Sequence, residues 1–176
     1  MFWFSSETDP PEDALFDRAF TLLIGEEGGY VDDPRDPGGE TKFGISKRAY
    51  PDLDIAALTL DQARAIYRRD YWQPLGCEDL SWPTALVLFD AGVNMGLRRA
   101  TMLLQEALGE VADGIIGPRT RAALAAQDGD PELVIRFQAE RALFYASLGT
   151  FRHFGRGWLR RTLRTTAAAF NAGVKP

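Results

Sequence analysis

EEGGYVDDPRDPGGETKFGIS, residues 26–46, interrupts a chain whose apolar residues otherwise recur at helical spacing. Residues 28–39 alone hold four glycines and two prolines. Glycine permits positive φ and proline fixes it, so the stretch predicts a shaped loop, with strand content limited to a short irregular hairpin. Upstream, Pro10-Pro11 and Gly28-Gly29 bracket a predicted first helix that starts near Glu12. Phe16, Phe20, Leu23 and Glu27 fall on one helical row, while Leu15, Ala19, Leu22 and Glu26 fall on its neighbour. Periodicity therefore does not separate the two acids.

Downstream, the residues from Ile45 to Tyr50 predict one helical turn. Thr59-Leu60-Asp61-Gln62 has the form of a capping box and predicts a helix to about Tyr71, with Pro74 barring its continuation. Pro83 opens a helix whose Leu86, Phe89, Val93 and Leu97 share a face, ending near Gly96. A further helix runs to Leu108, closed by Gly109. Asp130-Pro131 starts a long helix reaching about Leu148, and a last helix spans Gly157 to Phe170. The fold class is all-α, with at most a small hairpin. Its expected parts are a tail over residues 1–11, a helical domain over 12–96 and a helical lobe over 97–176.

The chain has 176 residues, 45% apolar and 26% charged, which suits one soluble domain with a small appended lobe. Its single cysteine, Cys77, excludes an internal disulfide and reads as a buried structural thiol. One histidine, His153, leaves no basis for a His-rich metal centre, so no metal and no cofactor are expected. MFWF at the start is too short and lacks the basic residues of a signal peptide. The expectation is synthesis in the cytoplasm, with release to the periplasm and cell wall through a holin or a dedicated export system.

The net charge of −5 is unevenly spread. Residues 1–40 carry a net −9, residues 41–135 a net −3, and residues 136–176 a net +7. The last helix sets Phe154, Trp158, Leu159, Leu163, Ala167 and Phe170 among five arginines. That composition permits contact with an anionic outer-membrane surface. It equally permits docking on its own domain through Trp158 and Leu163, with the arginines facing water. A nucleic-acid partner is not expected, because the remaining surface is acidic, and the protein is expected to be monomeric.

Cleavage of a sugar–sugar bond needs a carboxylic acid kept protonated near neutral pH and a second polar group that places a water. Glu27, beside an apolar row at the negative end of a helix, suits the acid. Asp36 and Thr41 suit the second role, and Asp32 and Asp33 compete with Asp36 for it. Tyr30, Phe43, Tyr71 and Trp72 offer flat faces for sugar rings; ordinary core is the alternative for each, and the plainer reading for Phe43. Asp90 and Asn94 lie one helical turn apart and can bond a glycan's acetamido or hydroxyl groups, or each other and nearby backbone.

The loop with its Glu-Gly-Gly-Tyr, the RDYW of residues 69–72 and the FDAGVNMG of residues 89–96 together resemble glycoside hydrolase family 108. These are lysozyme-like N-acetylmuramidases of phage endolysins and of bacterial cell-wall editing. The resemblance implies Glu27 as catalytic acid, with Asp36 and Thr41 holding the attacking water. The expected substrate contacts are Tyr30, Tyr71, Trp72 and Asn94, the last in a structural or substrate-positioning role. LGEVADGIIGPRT, residues 108–120, resembles the signature of small peptidoglycan-binding lobes, which implies bacterial peptidoglycan as partner. The expected activity is hydrolysis of the β-1,4 bond between N-acetylmuramic acid and N-acetylglucosamine. A non-catalytic wall-binding or secretion-accessory module on the same fold is the main rival. A lytic transglycosylase, and a protein that kills through its basic last helix, stand behind it.

Overall fold

The computed structural model describes residues 14–25, 29–31 and 39–171. The described residues are mostly helical, as the punctuation of prolines and glycines predicts. They fall into two compact units, one ending at Asp70 and one beginning at Tyr71.

In the first unit, α1 spans Ala14–Ile24. Gly25 stops it, with φ of 65° and its N–H donating to the Thr21 carbonyl. The helix thus closes short of the predicted Gly28-Gly29, because a left-handed glycine comes first. The apolar row carries Phe16 and Phe20 into the core. Their rings lie 5.8 Å apart, and Phe20 meets Tyr67 edge-on at 5.6 Å. Tyr67 belongs to α2, Leu60–Tyr67, which begins with the capping box predicted at Thr59 and Gln62. Burial of side chains such as Phe16, Phe20 and Ile55 contributes roughly 1.5–3 kcal/mol apiece.

Between these helices, β1 (Thr41–Lys42) pairs antiparallel with β2 (Ile45–Ser46). Phe43 and Gly44 form the connection with φ of 52° and 76°, the positive pair that a two-residue hairpin turn needs. Ile45 and Ser46 are thus strand, since cross-strand pairing outweighs a weak local signal. The helical turn predicted over residues 45–50 is confined to its later part, where the Ala49 and Tyr50 N–H groups both donate to the Ser46 carbonyl at 3.1 Å. The predicted run to Tyr71 also changes character: after Tyr67 the chain takes a π-helical turn, Arg68–Trp72.

The second unit is built around α3, Trp82–Met95, whose residues from Thr84 to Gly92 are all buried. It packs against α4 (Leu97–Leu108), α6 (Pro131–Ser147) and α7 (Phe151–Phe170), while α5 (Pro118–Gln127) packs on α4. A helix apolar on all sides must be covered on all sides, and α3 is. It precedes residue 97 in the chain, yet it forms the core of the unit that holds α4 to α7. A 3-10 turn, Cys77–Asp79, leads into it. Cys77 there is fully buried and free, and burial pushes its thiol pKa well up. The last helix begins at Phe151, six residues before the predicted Gly157.

Candidate functional site

Glu27 and Asp36, with Glu26, Asp32 and Asp33, lie outside the described residues. Thr41 is described, and its surroundings are specific. Its backbone exchanges two 2.8 Å hydrogen bonds with Val31 across an isolated bridge. On its other side Thr41 pairs with Ser46. Among the described residues, the half-buried Thr41 hydroxyl makes only a long 3.4 Å contact, to the Gly39 carbonyl. Backbone pairing thus fixes the residue and leaves its hydroxyl lightly committed.

The hairpin is itself anchored. The Tyr67 hydroxyl donates to the Phe43 carbonyl at 3.0 Å. A Cβ on Gly44 would stand 2.6 Å from that hydroxyl, so glycine is needed for space as well as for φ. Lys42 and Lys47 donate their ammonium groups to the Ala56 and Leu53 carbonyls, both at 2.7 Å. These contacts fasten the hairpin to the segment that follows it.

The four expected sugar-contact residues differ in setting. Tyr30 is 44% exposed, one residue before the Val31 bridge. Tyr71 is half-buried at the end of the π-helical turn, where its carbonyl accepts from the Leu75 N–H. Trp72 corrects the expectation of an open face. It is 2% exposed, its ring edge-on to Phe89 at 5.3 Å, and so it is core. Phe43 occupies the hairpin turn.

Asn94 is exposed, and its side-chain carbonyl accepts from the Tyr145 hydroxyl. That hydroxyl in turn accepts from Arg141 Nε at 3.1 Å. Asp90, by contrast, is buried in an ionic cluster. One of its oxygens meets Arg161 at 2.7 and 2.8 Å, and the other lies 2.7 Å from Arg141 Nη1. This last contact is close but not aligned as a hydrogen bond. Asp90 therefore holds α3 to α6 and α7, and its partners exclude it as an open ligand for glycan. Asn94, at the edge of the same cluster, is oriented through Tyr145, and its amide NH2 has no hydrogen-bond partner among the described residues.

Arg141 and Tyr145 were not visible as site residues in the sequence. Their i, i+4 spacing on α6 was there to read, but their partners lie some fifty residues away. Arg161 likewise departs from the arginines expected to face water, because a buried carboxylate draws it inward. Trp158 docks as expected, stacked on Tyr145 at 5.0 Å, whereas Leu163 is 69% exposed. No helix among the described residues is long and apolar enough to cross a membrane.

The wall-binding signature folds around one side chain. Gln105, 1% exposed on α4, donates from Nε2 to Asp113 Oδ1, the Ile115 carbonyl and the Thr120 hydroxyl, and accepts from the Gly114 N–H. Asp113 also accepts from the Ile115 N–H. The Gln105 hydrogen bond, followed by that backbone one, holds the Asp113 carboxyl below the usual range. Asp113, Gly114 and Thr120 are thus scaffold residues of the loop. No cluster of metal-ligating side chains occurs among the described residues.

Comparison with known proteins agrees with these two segments. The model of glycosyl hydrolase 108 matches residues 20–96, and that of a predicted peptidoglycan domain matches residues 99–163. No curated protein matches the chain. Among solved structures, SagA of Brucella abortus is similar at 33% identity and a TM-score of 0.78. The alignment covers 88% of this chain and 92% of SagA, and the expected mostly α, lysozyme-like fold stands with it. On that identity and coverage the chain belongs to the glycosyl hydrolase 108 family, and at the level of that family it is a peptidoglycan hydrolase.

Proposed function

We propose that the chain is an N-acetylmuramidase acting at the bacterial cell wall. It hydrolyses the β-1,4 bond between N-acetylmuramic acid and N-acetylglucosamine. The observation that carries this reading is the fastening of Thr41. Bridged to Val31 and paired with Ser46, it holds one end of the segment that bears Asp36, inside the stretch matched to the hydrolase family.

In the proposed reaction Glu27 donates its proton to the glycosidic oxygen as the C–O bond breaks, leaving an oxocarbenium-like centre. Asp36 accepts a proton from the incoming water, and the Thr41 hydroxyl orients that water. Exposed Tyr30 and half-buried Tyr71 offer ring faces to sugar units. Asn94, its carbonyl held by Tyr145, presents NH2 donors to an acetamido carbonyl. No cofactor takes part.

The test is the product spectrum of purified peptidoglycan treated with wild type and Glu27→Gln. Reducing muramic-acid ends from wild type, and almost none from the variant, are expected. Anhydro-muramic ends would overturn hydrolysis in favour of transglycosylation, and full activity of Glu27→Gln would overturn the acid.

A further inference from the structure

The peptidoglycan-domain segment has no binding site assigned to it, and its geometry supplies one. Two adjoining hollows, of about 410 and 540 Å³, lie on the second unit. They share Leu75, Ile116 and Arg121, so they form one groove with Arg121 at its middle. Asp79 lines one end and Arg98 the other. The signature loop provides much of the wall through Asp113, Gly114, Ile115 and Ile116.

The charges along this groove are unequally committed. Asp128 is occupied by the Ser81 N–H and hydroxyl, at 2.7 and 2.8 Å, and Asp113 by Gln105 and the Ile115 N–H. Arg98 and Arg121 are exposed, and neither has an ion-pair partner among the described residues. Gly114 sets Arg98 in place: a Cβ there would stand 2.7 Å from Arg98 Cγ and 3.2 Å from the Arg98 carbonyl oxygen. Ile115 is 67% exposed on the same loop and serves no core. What the loop's internal hydrogen bonds leave over is therefore two guanidinium groups and apolar side chains, facing one groove.

We infer that this groove binds the peptide of peptidoglycan through its carboxylates, and does not bind the glycan. Guanidinium groups pair with carboxylates in a planar, two-pronged geometry. Leu75, Ile116 and Ile115 suit the alanine methyls and methylenes of a stem peptide, and Asp79 suits a free amine on it. Among the described residues no aromatic side chain lines either hollow, and sugar rings favour one. The inference rests on peptidoglycan being the partner, and it adds which chemical part of that polymer the lobe takes.

The test uses the full-length Glu27→Gln chain, so that nothing is cleaved, with and without Arg98→Ala and Arg121→Ala. The probes are a disaccharide–tetrapeptide muropeptide, the same disaccharide without peptide, and intact wall sacculi. Calorimetry should show the muropeptide bound and its affinity lowered about tenfold or more by the double substitution, as loss of two charge-assisted contacts requires. Amide shifts should appear at Ile115, Ile116 and Arg121 with the muropeptide only. Unchanged affinity in the double variant, or equal shifts from the peptide-free disaccharide, would overturn the groove. Sacculi bound with silent groove amides would sink the groove alone. Sacculi left unbound would sink the peptidoglycan reading with it.

Discussion

Residues 14–70 and residues 71–171 hold their functional segments by different physical means. In the first unit the hairpin is fixed through backbone: strand pairs, a bridge at Val31, lysine ammoniums on carbonyls and a tyrosine hydroxyl on Phe43. In the second, side chains do the fixing, through a buried ionic cluster on Asp90 and a buried amide hub at Gln105. Backbone fastening leaves the Thr41 side chain lightly engaged among the described residues, as its proposed role requires. Side-chain fastening consumes polar groups, so there the residues left for ligands are those at the margins: Asn94, Arg98 and Arg121.

If this contrast is right, the largest loss should come from Arg141→Met. It strips a fully buried partner from Asp90 and should cost about 3–5 kcal/mol in urea unfolding. Adding Asp90→Asn should recover part of that loss, since it removes the charge left without its partner. A cost below about 1 kcal/mol for the single change would show that helix packing alone holds the unit.

Gln105→Leu should come next, at about 1–3 kcal/mol, because it orphans the groups the amide now satisfies. It should also raise the Asp113 pKa toward the ordinary carboxylate value. Asp113's folded pKa is depressed, so its stabilising contribution is present above the unfolded pKa and is lost as pH falls through the folded one. An NMR titration of the Asp113 carboxyl in wild type and variant reads this directly. An unmoved titration would mean that the backbone of the loop, without Gln105, sets the value.

Gly44→Ala tests the first unit. The positive φ and the Tyr67 hydroxyl at 2.6 Å predict a loss of about 1–2 kcal/mol, with faster hydrogen exchange confined to Lys42 and Ile45. Protection lost across α3 as well would mean that the units do not respond separately. The smallest effect is expected from Arg119→Ala. Its 2.8 Å pair with Glu110 leaves the arginine largely exposed, so the change in stability should stay within about 1 kcal/mol.

Helix starts were the most legible where they have a local cause; α7, with no side-chain cap at Thr150, was placed six residues late. The capping box at Thr59, Pro83 beside the start of α3, and Asp130-Pro131 at the start of α6 all appear as read. Ends and turns were less legible where two signals competed. Gly25 closes α1 before Gly28 can, and the hairpin takes Ile45 that local preference would give to a helical turn. What fastens Thr41 was not legible at all, since Val31 and Ser46 meet it only through backbone pairing. Trp72 was misread for the same reason: a ring's chemistry is local, whereas its burial against Phe89 is not.

The sequence by itself determined the helical class, the starts of α2, α3 and α6, and the Gly-Pro signature of the second segment. All of these follow from backbone preferences acting over a few residues. Tertiary structure alone decided that Asp90 is an ion-pair anchor and not a ligand, and that Arg161 turns inward. It also decided that Asn94 is aimed by Tyr145, and that Arg98 and Arg121 open onto one groove. In each case a charge or hydrogen-bond donor took the partner that burial left to it, and no pattern of neighbours along the chain specifies that partner.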